Sequence, residues 1–501
     1  MDGPFGMLNP VWAGTAAART TSEESMLAAL LQVEAVWARV LADAELAPSA
    51  SAEAIEAISA DPSRASLCAD DLARAAVGGG NPVIPLLAKI REALHDRGAT
   101  DEALHRGATS QDVLDTALVL VTRNAAGHIL EDLQRAGRAL ARLCEDHRET
   151  LCVARSLTQH ALPISFSLRT AVWLDGVSTT TARLRGALDS LPLQWGGAVG
   201  TQAALVDLAG AAGATDDSDD SGDTQETGGT GASRAADLTA QLATALGVPP
   251  MDRPWHTQRQ PILELASALA GVLAALGKIA GDVLTLQRPE IGELREPTAA
   301  GRGGSSAMPQ KQNPVLSTMI RSAALAGPGH LATLHQAAAA AVDERPDGAW
   351  HAEWPSLTEL LRLTGGAAAR AAELLEGLQV RPGAMDRNLR LGGDGVLGER
   401  IMARLKGVFP GGTPALQQML RDHAGSEIPL VEILRRELAP EAISDVELER
   451  LLRPDEYLGR ADAFIDASLS DAERLLRGVP SQSTRTGTPA DTPTGTTIRR
   501  D

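Results

Sequence analysis

Aromatic side chains are scarce in this chain of 501 residues, which has seven Trp, four Phe and a single Tyr. Its core must therefore be built from Ala, Leu and Val, which pack closely along helices, Ala and Leu with high helical propensity. Cysteine is nearly absent. Cys68, Cys144 and Cys152 show no metal-ligand or redox spacing, which excludes a disulfide scaffold and fits reduced thiols. No run approaches the roughly 18 uninterrupted apolar residues of a membrane span, because Lys278 interrupts the best candidate, Leu265–Leu286. Met1–Pro10 lacks a basic segment followed by an apolar run, so no signal peptide is expected. Bases are outnumbered, 46 Lys and Arg against 64 Asp and Glu, a net charge of −18. That argues against a general nucleic-acid binder, which carries a basic face. An anionic small substrate stays open, since a local cluster of donors can override the global sign. With 44% apolar and 22% charged residues, wholesale disorder is excluded. The length points to two or three domains. The expectation is a cytoplasmic, mostly helical protein with neither membrane nor nucleic acid as partner.

What is abundant is helical periodicity. Leu265, Leu269, Val272, Leu276, Ile279, Val283 and Leu286 are spaced alternately by four and three residues, a bundle seam opened by Pro261 and closed by Pro289. Similar segments cover about Asp112–His147, Pro163–Leu191 and Pro314–Val342, the last with a Gly327-Pro328-Gly329 expected to bend or break it. No alternating β-pattern exceeds a few residues. The chemistry predicts an all-α fold in three parts: residues 1–105 as an N-terminal helical domain, 106–383 as a long central bundle, and 384–478 as a small C-terminal helical domain. Within the second part, Gly210–Ser233 holds six acids and no useful apolar content apart from alanines, and is read as a disordered insertion. The Thr/Pro/Gly-rich residues 479–501 are read as a disordered tail.

The most informative stretch is Gly303–Pro314, GGSSAMPQKQNP. Its glycines let backbone approach a ligand closely. Ser305 and Ser306 offer hydroxyls, Lys311 a charge and Asn313 an amide, and Pro314 opens a helix whose positive end favours an anion. Two further polar clusters precede helical segments, Gly107–Asp112 (GATSQD) and Thr158–Pro163 (TQHALP). Thr109 and Ser110 can be simple N-caps, or with Gln111 a carboxylate cradle. His160, after Gln159 and at an expected helix start, is either a satisfied core histidine or a group that carries a proton near neutral pH. Arg259, in Pro254–Arg259 (PWHTQR), either solvates a helix start or clamps a carboxylate. His351 and Glu353, between Trp350 and Trp354, are candidate pocket residues.

In this order and separation the three clusters resemble the signature regions of the fumarase/aspartase superfamily, whose members add or eliminate groups β to a carboxylate. The similarity runs from about residue 8 to about 478. Within the superfamily, Gly107–Ala117, Leu193–Thr201, Pro254–Arg259, Gly348–Trp354 and Asp455–Gly459 resemble the bacterial 3-carboxy-cis,cis-muconate cycloisomerases. The resemblance implies a twenty-helix core in a homotetramer, with each active site shared between chains. It implies a small polycarboxylate substrate, lactonised reversibly, and neither metal nor organic cofactor. It implies Ser305 and His160 as catalytic residues, and Thr109, Ser110, Gln111, Gln159, Arg259, Ser306, Met308, Lys311 and Asn313 as substrate-binding ones. Gln310 and Gln312 stand where the family often has bases, and Arg106 where cycloisomerases often have an aromatic, which bears on substrate preference. Two other readings fit less well: an adenylosuccinate or argininosuccinate lyase, and a crystallin-like structural protein.

Overall fold

The computed structural model describes residues 7–213, 227–423, 426 and 428–476. Among these, helices dominate, and sheet is confined to two antiparallel two-stranded pairs. The all-α expectation holds.

Five long helices form the body: Ser110–Asp146, Phe166–Asp189, Gln260–Leu286, Val315–Ala340 and Gly348–Glu376. Each packs on the next, and Gly348–Glu376 closes the ring on Ser110–Asp146. Their starts are chemically marked. The Asp112 carboxylate accepts the Thr109 N–H at 3.0 Å, Ser165 Oγ accepts from Leu168 N, and Glu296 accepts from Leu316 N and Ser317 N at 3.1 and 2.8 Å. Each satisfies backbone donors that a helix start leaves open. The helix Val315–Ala340 runs through Pro328 instead of breaking there. Gly327 explains the sequence: a Cβ would lie 2.3 Å from Leu273 Cδ1, so glycine permits close approach of two bundle helices. Two helices, Glu23–Asp43 and Gln260–Leu286, are long and apolar enough to cross a membrane, and both contribute side chains to the core.

The expected helix from Pro163 is shorter. Residues Leu151–Ser156 (β1) and Gln159–Ser165 (β2) form an antiparallel hairpin, and the helix begins at Phe166. Val153 and Cys152 anchor the hairpin in apolar surroundings while its tip is exposed, a pattern too short to register as alternation.

Apolar residues of the first hundred positions belong to the same continuous core as the bundle, with Trp12 and Ala17 seated against Gly366 and Gly365. A second apolar cluster gathers Leu389, Leu397, Ile401, Leu416, Leu430, Leu434 and Leu448, with Val153 of the hairpin. The helix Ala461–Leu476 rejoins the bundle through Ile465 and Ala472. Of the expected acidic insertion, residues 214–226 lie outside the described residues, as does the 479–501 tail. Its flanks are helical, within Ala203–Gly213 and Thr227–Leu246, which pack on each other.

Candidate active site

The first cluster sits where three bundle helices start. Thr109 is the N-cap and Ser110 the first residue of the 110–146 helix, both half-buried. Asp112 is fully buried beneath them and accepts four hydrogen bonds: Oδ1 from His256 Nε2 (2.8 Å) and Gly196 N (2.7 Å), Oδ2 from Gly197 N (2.9 Å) and Thr109 N (3.0 Å). One carboxylate thus ties three separate segments together. Arg345 Nη2, reaching in from the connection before the 348–376 helix, donates to Thr109 Oγ1 and to the Ala198 carbonyl. The Ser110 hydroxyl makes no hydrogen bond among the described residues. Hydroxyls, a guanidinium and a helix N-terminus therefore converge, as a carboxylate site requires.

Two residues assigned to substrate are not available to it. Gln111 is fully buried, its Nε2 donating to the His256 carbonyl (2.9 Å) and to Asp115 Oδ2 (3.2 Å), its Oε1 without a partner among the described residues. Arg259 is 3% exposed. Its Nη1 and Nη2 grip Asp115 at 2.7 and 3.1 Å, while Nη2 and Nε grip Glu353 at 2.7 and 3.0 Å. Burial alone would lower the Arg259 pKa, but the two carboxylates outweigh it and hold the group charged. Burial pushes the Glu353 carboxyl up against the pull of Arg259. Arg259 and Glu353 are thus a structural ion triad with Asp115, not a substrate clamp. His351 is also occupied, its Nε2 lying 2.8 Å from the Gly80 carbonyl.

The other two clusters lie at the opposite pole. Leu157 and Thr158 turn the hairpin tip at φ of 50° and 71°, exposing Gln159 and His160. His160 therefore opens a strand, not a helix. The Gly303 loop closes on itself: Asn313 N donates to the Gly303 carbonyl at 2.8 Å, and Gly304 bridges Gln312. At Gly303 a Cβ would meet the Asn313 carbonyl oxygen at 2.6 Å, so only glycine closes this neck. Within the loop Ser305 Oγ accepts from Ala307 N (3.3 Å) and Met308 N (3.2 Å). Ser306, Met308 and Lys311 are exposed, and Lys311 makes no ion pair among the described residues. Two N–H groups aimed at one hydroxyl oxygen stabilise it as negative charge develops.

The poles are far apart. Arg259 precedes, and Glu293 follows, the 27-residue Gln260–Leu286 helix; at 1.5 Å per residue this separates them by about 40 Å. No hydrogen bond or ion pair among the described residues links Thr109–Ser110 to the hairpin tip or the Gly303 loop. Thr109, Ser110, Ser305, Lys311 and His160 are therefore presented at two ends of one chain. A cavity of about 590 Å³ between Thr21–Met26, Leu114–Val121 and Trp354–Arg362 contains none of them. Among the described residues, no group of three His, Cys, Asp or Glu is placed to hold a metal ion. Sequence reasoning missed Asp112, His256 and Arg345. His256 lay inside a stretch already singled out, but the neighbouring charge drew the assignment to Arg259; Arg345 sits in an unpatterned connection without any local signal.

A family model described as lyase matches residues 7–207 and 223–327. A nitrosuccinate lyase of Streptomyces davaonensis is 41% identical over 94% of this chain and 96% of its own length. The chain belongs to this lyase family. A 3-carboxy-cis,cis-muconate cycloisomerase of Pseudomonas aeruginosa is 36% identical over 91% of this chain and 94% of its own. In three dimensions the lyase fold here is similar to the crystal structure of the 3-carboxy-cis,cis-muconate lactonizing enzyme from Pseudomonas putida, with a TM-score of 0.81, 31% identity and 94% and 99% of the two chains covered. The lyase family and its all-α superfamily architecture are thereby established, and the chain is an enzyme of that superfamily.

Proposed function

We propose that this lyase makes and breaks a bond β to a carboxylate, and that its substrate is 3-carboxy-cis,cis-muconate, closed to 4-carboxymuconolactone. One substrate carboxylate oxygen adds to a carbon of the conjugated double bond, and a proton is delivered to the carbon beside another carboxylate. The observation that carries this reading is the Ser305 oxygen under two N–H groups, in one loop with Lys311 and Asn313. Lowering the barrier here means holding the charge of an aci-carboxylate with donors already in position. Ser305 and His160 are the groups offered for the proton; Thr109 and Ser110, with Arg345 beside them, are the donors offered for a carboxylate. Ser306, Met308, Asn313 and Gln159 line the same surfaces.

The 40 Å between poles supports a homotetramer whose sites each draw on several chains, since neighbours lying antiparallel about a two-fold axis can present one pole to the other. The reading places the reaction in the cytoplasm and assigns it no metal or organic cofactor.

A second reading has its own support in the 41% identity to a nitrosuccinate lyase. Elimination would break a C–N bond, expel nitrite and remove the proton on the neighbouring carbon through the same Ser305. The experiment gives the purified protein both compounds, with adenylosuccinate as a third. Loss of carboxymuconate absorbance without nitrite release is expected. Nitrite release from nitrosuccinate at a much higher kcat/KM overturns the substrate in favour of the second reading. Inertness toward all three overturns the shared chemistry.

A further inference from the structure

We infer that His256 is a positioning residue for the carboxylate cradle, acting through Asp112 on Thr109 and the Gly196–Ala198 turn. The inference rests on the reading of Thr109 and Ser110 as carboxylate donors. His256 is buried, and it holds the first turn of the 110–146 helix twice: its ring reaches Asp112 and its carbonyl accepts from Gln111. The Asp112 carboxylate can only accept, and its other three partners are backbone N–H groups, so Nε2 of His256 must carry the proton. Nδ1 is buried with no partner among the described residues. A proton there would be a buried donor with no acceptor, so Nε2–H is the donor that the geometry assigns to this ring.

The surroundings are fitted to that ring. At Gly196 a Cβ would stand 2.8 Å from His256 Cε1 and 2.7 Å from Pro254 Cβ, so the turn lies too close to the imidazole to admit any side chain. Gly197 adopts φ of 72°, a left-handed conformation that turns its N–H down to Asp112. The next carbonyl, Ala198, shares Arg345 with the Thr109 hydroxyl. The Asp112 carboxylate thus joins both walls of the cradle from below and Arg345 joins them from above. Without the imidazole, Asp112 loses one of its four donors and the 196–198 turn loses the surface it rests on. The walls then no longer fix where Thr109 and Ser110 point. No donor to substrate is removed, so the expected signature is weakened carboxylate binding, with the proton chemistry at Ser305 left in place.

The test compares His256→Phe, which keeps the ring shape without the donor, with His256→Gln, whose amide nitrogen can occupy the Nε2 position. A lost hydrogen bond to a buried charge corresponds to roughly tenfold or more in binding. His256→Phe is expected to raise KM at least about tenfold with kcat within about threefold, and His256→Gln to restore KM to within about threefold. If the Phe variant does not fold, His256→Asn replaces it, since its shorter amide cannot reach Asp112. Affinity for tricarballylate, a non-reacting tricarboxylate, is measured by calorimetry on the same proteins and should fall and recover in parallel. A folded Phe or Asn variant with unchanged KM and tricarballylate affinity overturns the inference, as does a fall in kcat alone or a Gln variant no better than Phe. If the wild type binds tricarballylate but turns over neither carboxymuconate nor nitrosuccinate, the proposed function fails while the affinities still decide the role of His256. A wild type that does neither refutes both.

Discussion

Replacing Arg259 by Met should lower the unfolding temperature of this protein by a few degrees and should not act as loss of a substrate contact. The guanidinium is 3% exposed and spends its donors on two carboxylates, each gripped through both oxygens. Removing one partner of such a buried pair costs about 3–5 kcal/mol, because the remaining charge is left without a counter-ion. The two carboxylates would not suffer equally. Asp115 keeps N–H donors from Trp350 at 2.9 Å and Gln111 at 3.2 Å, whereas Glu353 accepts hydrogen bonds from Arg259 alone among the described residues. Burial already pushes the Glu353 carboxyl up, so it would take a proton instead of remaining ionised, which limits the loss to one unpaired charge.

At about 2.1 cal/mol/K of unfolding entropy per residue over 501 residues, a cost of about 4 kcal/mol should lower Tm by roughly 4 °C. Arg259→Lys keeps the charge but has no planar fork to serve two carboxylates, and should fall between. The double variant Arg259→Met with Glu353→Met removes the stranded acid and should regain about half the loss, since a buried pair exchanged for apolar groups is often near neutral. Differential scanning calorimetry on folded, assembled protein reads all three. If Arg259→Met melts with the wild type while its KM rises tenfold, the triad is not what holds these helix starts together and Arg259 is a substrate clamp after all.

Ser305→Ala should lower kcat by about a thousandfold or more with Tm unchanged within ~1 °C, since the loop is exposed and one hydroxyl is lost; steady-state kinetics and calorimetry check both halves. His105 lies 2.7 Å from the fully buried Glu34; burial lowers its pKa, but Glu34 outweighs this and raises it above 6.5. A raised folded value means the pair stabilises fully below pH 6.5 and loses that stabilisation as pH rises through the folded pKa, so the Tm gap between wild type and His105→Asn should be widest near pH 6 and close toward pH 9. Thiol titration with a coloured disulfide at pH 8 should show one fast group, the exposed Cys68, and two slow ones, since burial pushes Cys144 and Cys152 up to about 11.

What the sequence makes legible here is whatever repeats or sits next to itself. The 265–286 seam is a local periodicity, and it reappears as buried Leu265, Leu269, Val272, Leu276, Ile279, Val283 and Leu286. The Gly303 loop is legible because its chemistry is contiguous: Ser305 is met by N–H groups two and three residues on. The hairpin under His160 was not legible, because its strands are short and each mixes buried and exposed positions without strict alternation. Nor was the fate of Arg259, since its partners are 144 residues before it and 94 after. A charged residue beside a signature looks the same in sequence whether it faces substrate or a buried acid.

The same distinction explains why the cradle and the loop read as one site in sequence yet stand at opposite poles of the chain. Sequence order carries no information about which copy of a chain a residue will meet. The fold supplies it in the form of a length: parallel starts for the 110, 260 and 348 helices put Thr109, Ser110 and Arg345 at one end, and the 27 residues between Arg259 and Gln287 put Ser305 and His160 beyond the other. A long apolar bundle can bridge that length only by lying alongside another. Mixing the inactive Ser305→Ala and His160→Ala proteins, unfolding and refolding them together, tests whether these two residues, which share a pole, also enter one site from different chains. If Ser305 and His160 enter one site from different chains, random reassortment of equal amounts should restore about a quarter of the sites. Verified hybrids that stay as inactive as their parents would mean the two residues come from one chain, where the hairpin and the loop do share a pole.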